Sequence, residues 1–436
     1  MRRLATALGA LRRSDVARSI VGVGSATALS QLIALAVSPL LSRLYPQEVF
    51  GAFAAFFAFA NILSVCCLAG LSDAVIAAQD DDEALALARI GSWVLAAALI
   101  PAAVLSLVSI DRNWFGLGIL PRWAVWLIMG ELIVLVAYAY LQALHVRFRR
   151  FKGISQAYLA TGAARAGGQL AGGLGGIGLV GMGGGEFLGR LAAVAMMLRG
   201  IAPQLARGRR LAWARMWGVL GAYRHFPIAR TPSAIASAVA VNAPPLMMVA
   251  LYSAREAGLF ALMTVALAAP LALIQRSVGD VFLGHFSHRF HADRAAAMAL
   301  LWRVFLGLGL VAAAGGIVLL VAGPALFGLV FGARWTEAGV MAQVAVPMLV
   351  GQLLVLPIAT AITVANRPEV KIGYDILYLG ALALSWTVAK GQGLSAVEFV
   401  AWLSILTAAA TAIFFGLVLW ACANPRRLPA PSASAA

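Results

Sequence analysis

Five arginines lie inside long apolar stretches of the sequence: Arg165, Arg190, Arg230, Arg276 and Arg303. A charge at the centre of such a stretch costs roughly 2.5–3.5 kcal/mol on membrane-insertion scales, so each residue needs a partner or a function. A guanidinium group stays protonated and donates two parallel hydrogen bonds to paired oxygen atoms. These residue types therefore indicate recognition of a phosphate or pyrophosphate group inside an apolar helix bundle.

Two of these arginines have an acidic residue one helical turn away. Glu186 lies four residues before Arg190, and Arg276 lies four residues before Asp280, which is the spacing of an intrahelical ion pair. We interpret Glu186 and Arg190 as a structural pair. The second pair is open between a structural and a ligand-binding role, because Asp280 also lies 207 residues after Asp73, at the offset of an internal repeat.

Arg165 lies near the middle of its apolar stretch and has no acidic residue three or four positions away, while the polar residue Gln169 lies four positions after it. Snorkelling to the headgroups is difficult from that depth, so we expect Arg165 to pair across helices with Glu131 or to face a watered cavity, which we favour. Arg303 lies one turn inside its stretch, where snorkelling is favoured. Arg230 is open between the two roles, because its helix contains two adjacent prolines and should line a cleft.

The site predicted from these residues is a cationic cavity. Its candidate substrate-binding residues are Arg165, Arg230, Arg276 and Arg303; the supporting polar residues are Gln31, Glu131, Gln169, Asn242 and Asp280; the candidate hinges are Pro39, Pro244 and Pro245. No catalytic residue, metal ligand or cofactor is expected, since the three cysteines lie in apolar runs without metal-ligand spacing.

The composition is that of a polytopic membrane protein. Hydrophobic residues make up 62% of the 436 residues, charged residues make up 11%, and the mean hydropathy is +0.91. No water-soluble fold buries that much apolar surface, so an all-α bundle of membrane-spanning helices is predicted. Long apolar runs give twelve predicted spans, at 20–42, 50–78, 90–110, 124–146, 154–179, 181–202, 226–250, 258–283, 298–322, 337–364, 371–389 and 397–422.

The distribution of basic residues predicts how these spans are oriented. Of 33 Lys and Arg residues, 22 fall on one set of alternate connections and only six on the other. The positive-inside rule therefore places the N- and C-termini in the cytoplasm. The net charge of +16 is explained in the same way and does not indicate binding to nucleic acid.

The two halves of the chain share a short motif. Residues 44–54 and 251–261 both read L-Y-x5-G-x-F-A, at an offset of 207 residues, and in both cases a connection ends there and a span begins. We interpret this as two parallel six-helix repeats around a central cavity, the architecture of alternating-access transporters. The predicted domains are an N-terminal lobe at 1–202, a basic cytoplasmic connector at 203–223, a C-terminal lobe at 224–422 and a disordered cytoplasmic tail at 423–436.

Several segments resemble one family of membrane proteins. Residues 38–45 (SPLLSRLY) with 48–51 (EVFG), 257–262 (AGLFAL) and 330–339 (VFGARWTEAG) are similar to landmarks of the bacterial O-antigen and exopolysaccharide flippases. These form one branch of the multidrug/oligosaccharidyl-lipid/polysaccharide exporter superfamily. The resemblance implies a transporter that moves undecaprenyl-pyrophosphate-linked oligosaccharide repeat units to the periplasmic leaflet. The implied partners are that lipid-linked oligosaccharide, the membrane lipids, and the polysaccharide polymerase and chain-length machinery.

Two other functions remain open. A cation-coupled multidrug exporter of the same superfamily would prefer acidic residues facing its cavity, and the surplus of intramembrane arginine argues against it. A membrane enzyme of polysaccharide assembly, such as a ligase, polymerase or glycosyltransferase, would need a periplasmic loop with catalytic groups. Every predicted periplasmic connection is short, so we expect the protein not to be an enzyme.

Overall fold

The structure is a computed structural model and describes residues 15–208 and 213–426. Every regular element within these residues is helical. The helices are α1 (Asp15–Leu44), α2 (Gln47–Leu68), α3 (Leu71–Ala77), α4 (Asp81–Asp111), α5 (Ala124–Arg147), α6 (Phe151–Leu174), α7 (Gly178–Gly208), α8 (Trp213–Ala222), α9 (His225–Leu251), α10 (Ala254–Ala292), α11 (Arg294–Phe331), α12 (Thr336–Val344), α13 (Val346–Val355), α14 (Ala361–Val364), α15 (Glu369–Gln392) and α16 (Ala396–Ala423).

The number of membrane spans agrees closely with the prediction. Within the described residues, ten helices are long and apolar enough to cross a membrane, and α12 with α13 makes an eleventh if the bent pair is one span. The predicted fifth span corresponds to α6, a 24-residue helix that is rich in glycine and carries Arg165 and Gln169. The all-helical, multi-pass architecture is therefore confirmed.

Two of the predicted spans are interrupted. The second, predicted at 50–78, ends as a helix at Leu68, because Ala69 and Gly70 adopt positive φ angles of 46° and 65° before α3 begins. The tenth, predicted at 337–364, bends by 56° at the break between α12 and α13. Pro347 lies at the start of α13, where its missing N–H is tolerated.

The three predicted hinge prolines lie inside continuous helices. Pro39 is within α1, and Pro244 and Pro245 are within α9. Each removes a backbone donor from the helix interior, which weakens the local hydrogen-bond ladder. Their role as hinges remains a prediction.

Glycines allow α6 and α7 to approach closely, as the glycine-rich sequence there suggests. A Cβ atom added at Gly168 would lie 2.9 Å from the Cα atom of Gly185, and one added at Gly181 would lie 2.9 Å from the Cα atom of Gly172. Side chains at these positions would force the helices apart. Small residues at a membrane-helix interface gain backbone contact that larger ones prevent.

The two copies of the repeated motif lie close together in the fold. A Cβ atom at Gly51 would strike the backbone of Ala254, and one at Gly258 would strike the backbone of Gln47. Gln47 and Ala254 are the first residues of α2 and α10 and are 207 residues apart, as Gly51 and Gly258 are. The contact is therefore reciprocal, which is what a local two-fold relation between equivalent junctions produces.

The chain forms two compact units, one ending at Ala261 and one beginning at Leu262. Helix α9 belongs with the first unit because it packs against α2. The lobe boundaries at 203–223 remain a prediction. The two compact units are defined by which residues pack together, whereas the predicted lobes are defined by an internal duplication of the sequence. Residues 209–212 of the predicted connector and 427–436 of the predicted tail lie outside the described residues.

Aromatic side chains build the core of the second unit. Phe282, Phe286 and Phe290 recur at four-residue spacing on α10 and are buried, with successive ring centroids 5.0 and 5.3 Å apart. The same cluster contains Tyr374 of α15 and Phe414 of α16, whose rings stack at 4.2 Å. Aromatic pairs at these separations add about 0.5–1.5 kcal/mol each beyond the burial of their area.

Candidate functional site

Four charged side chains from α5, α6 and α7 form a connected cluster. Arg190 lies between two acids, with its Nε atom 2.6 Å from Oε1 of Glu131 and a terminal nitrogen 3.1 Å from Oε1 of Glu186. Arg165 lies on the other side of Glu186, with a terminal nitrogen 3.6 Å from Oε2. We call Glu131, Arg165, Glu186 and Arg190 the ion cluster. Its formal charges balance, so it needs no further ion to remain neutral.

The glycine-lined crossing of α6 and α7 creates the room for this cluster. A Cβ atom at Gly189 would lie 2.8 Å from Cβ of Arg165 and 2.9 Å from the carbonyl oxygen of Thr161. One at Gly185 would lie 3.0 Å from the Cα atom of Gln169. The glycines therefore let the stem of Arg165 pass close to α7 and reach Glu186.

Exposure decreases across the cluster. The exposed fraction is 27% for the side chain of Arg165, 17% for Arg190, 5% for Glu186 and zero for Glu131. The contact between Arg190 and Glu131 is short, but among the described residues neither Glu131 oxygen has an aligned hydrogen bond. The loosest contact and the most accessible guanidinium thus coincide at Arg165, which is the group best placed to exchange its carboxylate for an incoming anion.

The structure confirms one predicted pair and corrects another. Glu186 and Arg190 pair at i, i+4, as predicted. The predicted alternative, a pair between Arg165 and Glu131, was wrong. Glu131 pairs with Arg190, and Arg165 pairs with Glu186. The contact of Arg190 with Glu131 on a different helix was not predicted. The spacing of residues along one helix does not determine which of its faces contacts the neighbouring helix.

The supporting polar residues are placed as follows. The side-chain nitrogen of Gln169 donates a hydrogen bond to the Met182 carbonyl at 3.2 Å and is not directed to the ion cluster. The nitrogen of the Asn242 side chain donates to the Ala238 carbonyl within its own helix at 2.8 Å. Gln31 has a buried Oε1 atom with no hydrogen-bond partner among the described residues. Gln31 therefore keeps a buried acceptor available.

The other predicted arginines lie outside the ion cluster. Arg230 is 3.4 Å from Asp73 and 5.7 Å from the Phe226 ring centroid, and 63% of its side chain is exposed. Arg276 and Arg303 are exposed side chains of the second unit. The i, i+4 pair of Arg276 with Asp280 is not formed within the described part of the chain. The cationic cavity that would join all four arginines remains a prediction.

A polar network joins the end of the predicted connector to the start of α4. The hydroxyl of Tyr223 donates to Oε2 of Glu83 at 2.9 Å and accepts from the backbone N–H of Gln79 at 3.0 Å. Arg147 donates to the Gln79 carbonyl at 2.9 Å. Burial and the nearby Glu83 carboxylate raise the pKa of Tyr223, so the phenol keeps its proton and the network persists at neutral pH.

Comparison with solved structures identifies the fold. The lipid II flippase MurJ in an inward closed conformation matches with a TM-score of 0.68 and 12% identity, over 91% of this chain and 86% of that chain. An inward-facing multidrug resistance transporter of the MATE family and MOP superfamily matches with a TM-score of 0.61 and 14% identity, over 90% and 94%.

A third match is a MOP-superfamily transporter from Pyrococcus furiosus, whose binding pocket is described as having reversed polarity. Its TM-score is 0.55 at 12% identity, over 95% of this chain and 97% of that chain. No curated protein sequence is a significant match to this chain. At these identities the structural matches establish the fold alone.

A family model provides the sequence-level assignment. The model described as "Polysaccharide biosynthesis protein" matches residues 40–340, which is more than half of the chain and includes the ion cluster. The resemblance predicted from the short motifs is thereby confirmed. This multi-pass membrane protein has the fold of the MOP-superfamily transporters, and the chain belongs to the polysaccharide biosynthesis protein family.

Proposed function

We propose that the protein is a flippase for undecaprenyl-pyrophosphate-linked oligosaccharide repeat units. It moves them by alternating access from the cytoplasmic to the periplasmic leaflet of the bacterial inner membrane, with both of its termini in the cytoplasm. The observation that carries the proposal is the coincidence, in one chain, of membership in a polysaccharide biosynthesis family and a transporter fold. Neither property alone favours a lipid-linked sugar over other cargo.

The ion cluster supports a diphosphate-bearing cargo. A diphosphate entering a low-dielectric interior needs compensation of its charge, and an arginine provides this with paired, charge-assisted hydrogen bonds. Arg165 is held by Glu186 at 3.6 Å and is partly exposed, so its carboxylate partner is exchangeable. Glu186 keeps its contact with Arg190 at 3.1 Å after that exchange.

Arg230 supports an entry step that precedes the ion cluster. Its side chain is largely exposed and makes only a 3.4 Å contact with Asp73, whose own side chain is half-exposed. A pair this open contributes little stability. Arg230 is therefore a suitable first contact for the headgroup, and Arg276 and Arg303 are further candidate contacts.

The alternatives have less support. The acids of the ion cluster are not accessible to the cationic cargo of a drug exporter, because Glu131 and Glu186 are buried and both contact Arg190. An enzyme of polysaccharide assembly needs catalytic groups outside the membrane. The connections between the helices of the first unit are short, and the longest described one before α5 is the 3₁₀ segment Trp114–Ile119 with its flanking residues.

Export in living cells tests the proposal. The gene is expressed in a bacterium that lacks the flippase of its own polysaccharide and is supplied with the matching glycosyltransferases. We expect the wild-type protein to restore surface polysaccharide, and Arg165→Ala and Arg230→Ala to abolish export while both variants still insert into the membrane. Arg112→Ala, an exposed arginine at the far end of α4, is the matched control and keeps export. Wild-type export by both site variants would contradict the cationic path.

A further inference from the structure

A stripe of polar side chains continues from the ion cluster along α5 and α6. On α5, Tyr138 lies seven residues after Glu131, and on α6, Tyr158 lies seven residues before Arg165. Seven residues are about two turns of an α-helix, so each tyrosine shares a face with the charged residue of its own helix. Each tyrosine also lies between that charged residue and the short connection that joins α5 to α6, so both are on the same side of the ion cluster.

A glutamine joins the two tyrosines in this stripe. The side-chain nitrogen of Gln142 donates to the hydroxyl of Tyr158 at 3.2 Å, and the hydroxyls of Tyr138 and Tyr158 are in hydrogen-bonding contact. Arg190 is close enough for its charge to act on Tyr138. We call Tyr138, Gln142 and Tyr158 the tyrosine–glutamine cluster. It links α5 to α6 and lies next to the ion cluster.

The tyrosines of this cluster differ from two tyrosines with a structural role. Tyr45 is buried, and its hydroxyl donates to the backbone carbonyl of Gln169 at 2.7 Å. Tyr140 is also buried, and its hydroxyl donates to the backbone carbonyl of Leu68 at 3.1 Å. The side chains of the tyrosine–glutamine cluster are only half-buried and bond to one another. Partly exposed polar groups beside a membrane-embedded arginine face a watered space and not acyl chains, because acyl chains offer no hydrogen bonds.

The cluster keeps hydrogen-bonding groups for a ligand. Within the described residues, Gln142 makes one hydrogen bond, and its carbonyl oxygen is neither bonded nor enclosed. A glutamine amide has two N–H donors and an acceptor oxygen, so one donor and the acceptor remain. Each tyrosine adds an apolar ring with a hydroxyl at its edge. An amide beside two such rings suits a sugar, which presents hydroxyl groups on its rim and C–H groups on its faces.

We propose that the tyrosine–glutamine cluster binds the sugar that is bonded to the diphosphate of the cargo. The inference rests on the proposed function, because it needs the diphosphate at Arg165. Seven helical residues correspond to about 10 Å at the rise per residue, a separation that a diphosphate and its first sugar ring can bridge. The sugar ring then lies against the two tyrosine rings, and its hydroxyl groups bond to Gln142. The ion cluster thus recognises the diphosphate, and the tyrosine–glutamine cluster recognises the glycan.

Binding of two lipids by the full-length protein in detergent tests this subsite. One lipid is undecaprenyl pyrophosphate, and the other is undecaprenyl pyrophosphate carrying the repeat unit of the polysaccharide used in the export experiment. The ratio of their dissociation constants measures the sugar preference, and we expect the wild type to bind the sugar-bearing lipid more tightly. Tyr158→Phe and Gln142→Met should each lower this preference about 3–10-fold, the effect of one lost hydrogen bond, and leave the affinity for the bare lipid unchanged.

Matched variants separate the subsite from the rest of the molecule. Gln156→Met makes the same change as Gln142→Met at an exposed position of α6 and should keep the wild-type preference. Arg165→Ala should weaken the binding of both lipids alike, because it acts on the diphosphate that they share. If Gln142→Met fails to fold, Tyr158→Phe decides, since it keeps the ring and removes only the hydroxyl.

The outcomes distinguish the subsite from the proposed function. A wild-type protein that binds both lipids equally, or a Tyr158→Phe variant with the wild-type preference, would overturn the subsite and leave the proposed function standing. A folded wild-type protein that binds neither lipid would contradict the proposed function, and the subsite would fall with it.

Discussion

At the scale of single residues, the main feature is a buried carboxylate that depends on one arginine. Glu131 is fully buried, and Arg190 is the cation in contact with it. Burial of an unpaired charge is far more costly than loss of a whole ion pair, because the remaining charge has neither water nor a partner. Arg190 should therefore matter more for stability than Arg165, whose partner Glu186 keeps a second cation.

This asymmetry gives a stability prediction. Arg190→Gln should lower the free energy of unfolding by about 3–5 kcal/mol, because it leaves the carboxyl group of Glu131 buried without the arginine that pairs with it. The double variant Glu131→Gln with Arg190→Gln should lose clearly less free energy of unfolding than the two single variants lose in sum. The reason is that both partners of the ion pair are removed together. Denaturant unfolding in detergent micelles measures the three values. Strict additivity would show that the two side chains do not interact.

Part of this residue-level picture was predictable. The spacing of Glu186 and Arg190 on one helix predicted their contact, which is a local property of the α-helix. The contacts of Arg165 with Glu186 and of Arg190 with Glu131 depend on how three helices rotate against each other. No single sequence pattern encodes that rotation, so Glu131, the alternative to a watered cavity for Arg165, was the wrong partner.

At the scale of helices, glycine sets the distance between α6 and α7, and two adjacent glycines make this testable. A Cβ atom at Gly168 would lie 2.9 Å from the backbone of Gly185, whereas one at Gly167 meets no atom within 4 Å. Both positions are glycines in the interior of α6, but only Gly168 faces α7 at close distance. They therefore separate the effect of packing from the effect of helix propensity.

We expect Gly168→Ala to lower the free energy of unfolding by about 1–3 kcal/mol, because the added methyl group overpacks the crossing. Gly167→Ala should be neutral or should stabilise the protein by up to about 1 kcal/mol, since alanine favours the helix. Thermal unfolding of the two variants in the same detergent compares them directly. Equal effects at both positions would mean that α6 and α7 do not cross as closely as the structure shows.

Helix breaks show where the sequence is less informative. Hydrophobic runs predicted the positions of the spans, because a bilayer demands about 20 apolar residues for each crossing. The break at Ala69 and Gly70 and the bend before Pro347 lie within such runs and do not alter their hydropathy. Proline alone did not predict the bend, since Pro39, Pro244 and Pro245 lie within continuous helices.

At the scale of the whole molecule, the repeated motif and the fold agree. The offset of 207 residues predicted two equivalent helix junctions, and Gly51 and Gly258 bring these junctions into reciprocal contact. The family and the multi-pass fold were also predictable, because they depend on composition and on short motifs in a fixed order. The choice of cargo depends instead on where a few charged side chains lie, and a transport measurement identifies it.

Translocation in reconstituted vesicles tests the central claim most directly. Purified protein is placed in vesicles with a fluorescent undecaprenyl-pyrophosphate oligosaccharide, and transfer between leaflets is followed with an impermeant quencher. We expect the wild type to transfer the lipid far faster than protein-free vesicles, Arg165→Ala to be about 10–100-fold slower through loss of charge-assisted hydrogen bonds, and Arg112→Ala to match the wild type. No transfer above protein-free vesicles by a folded wild-type protein, or transfer by Arg165→Ala at the wild-type rate, would contradict the account.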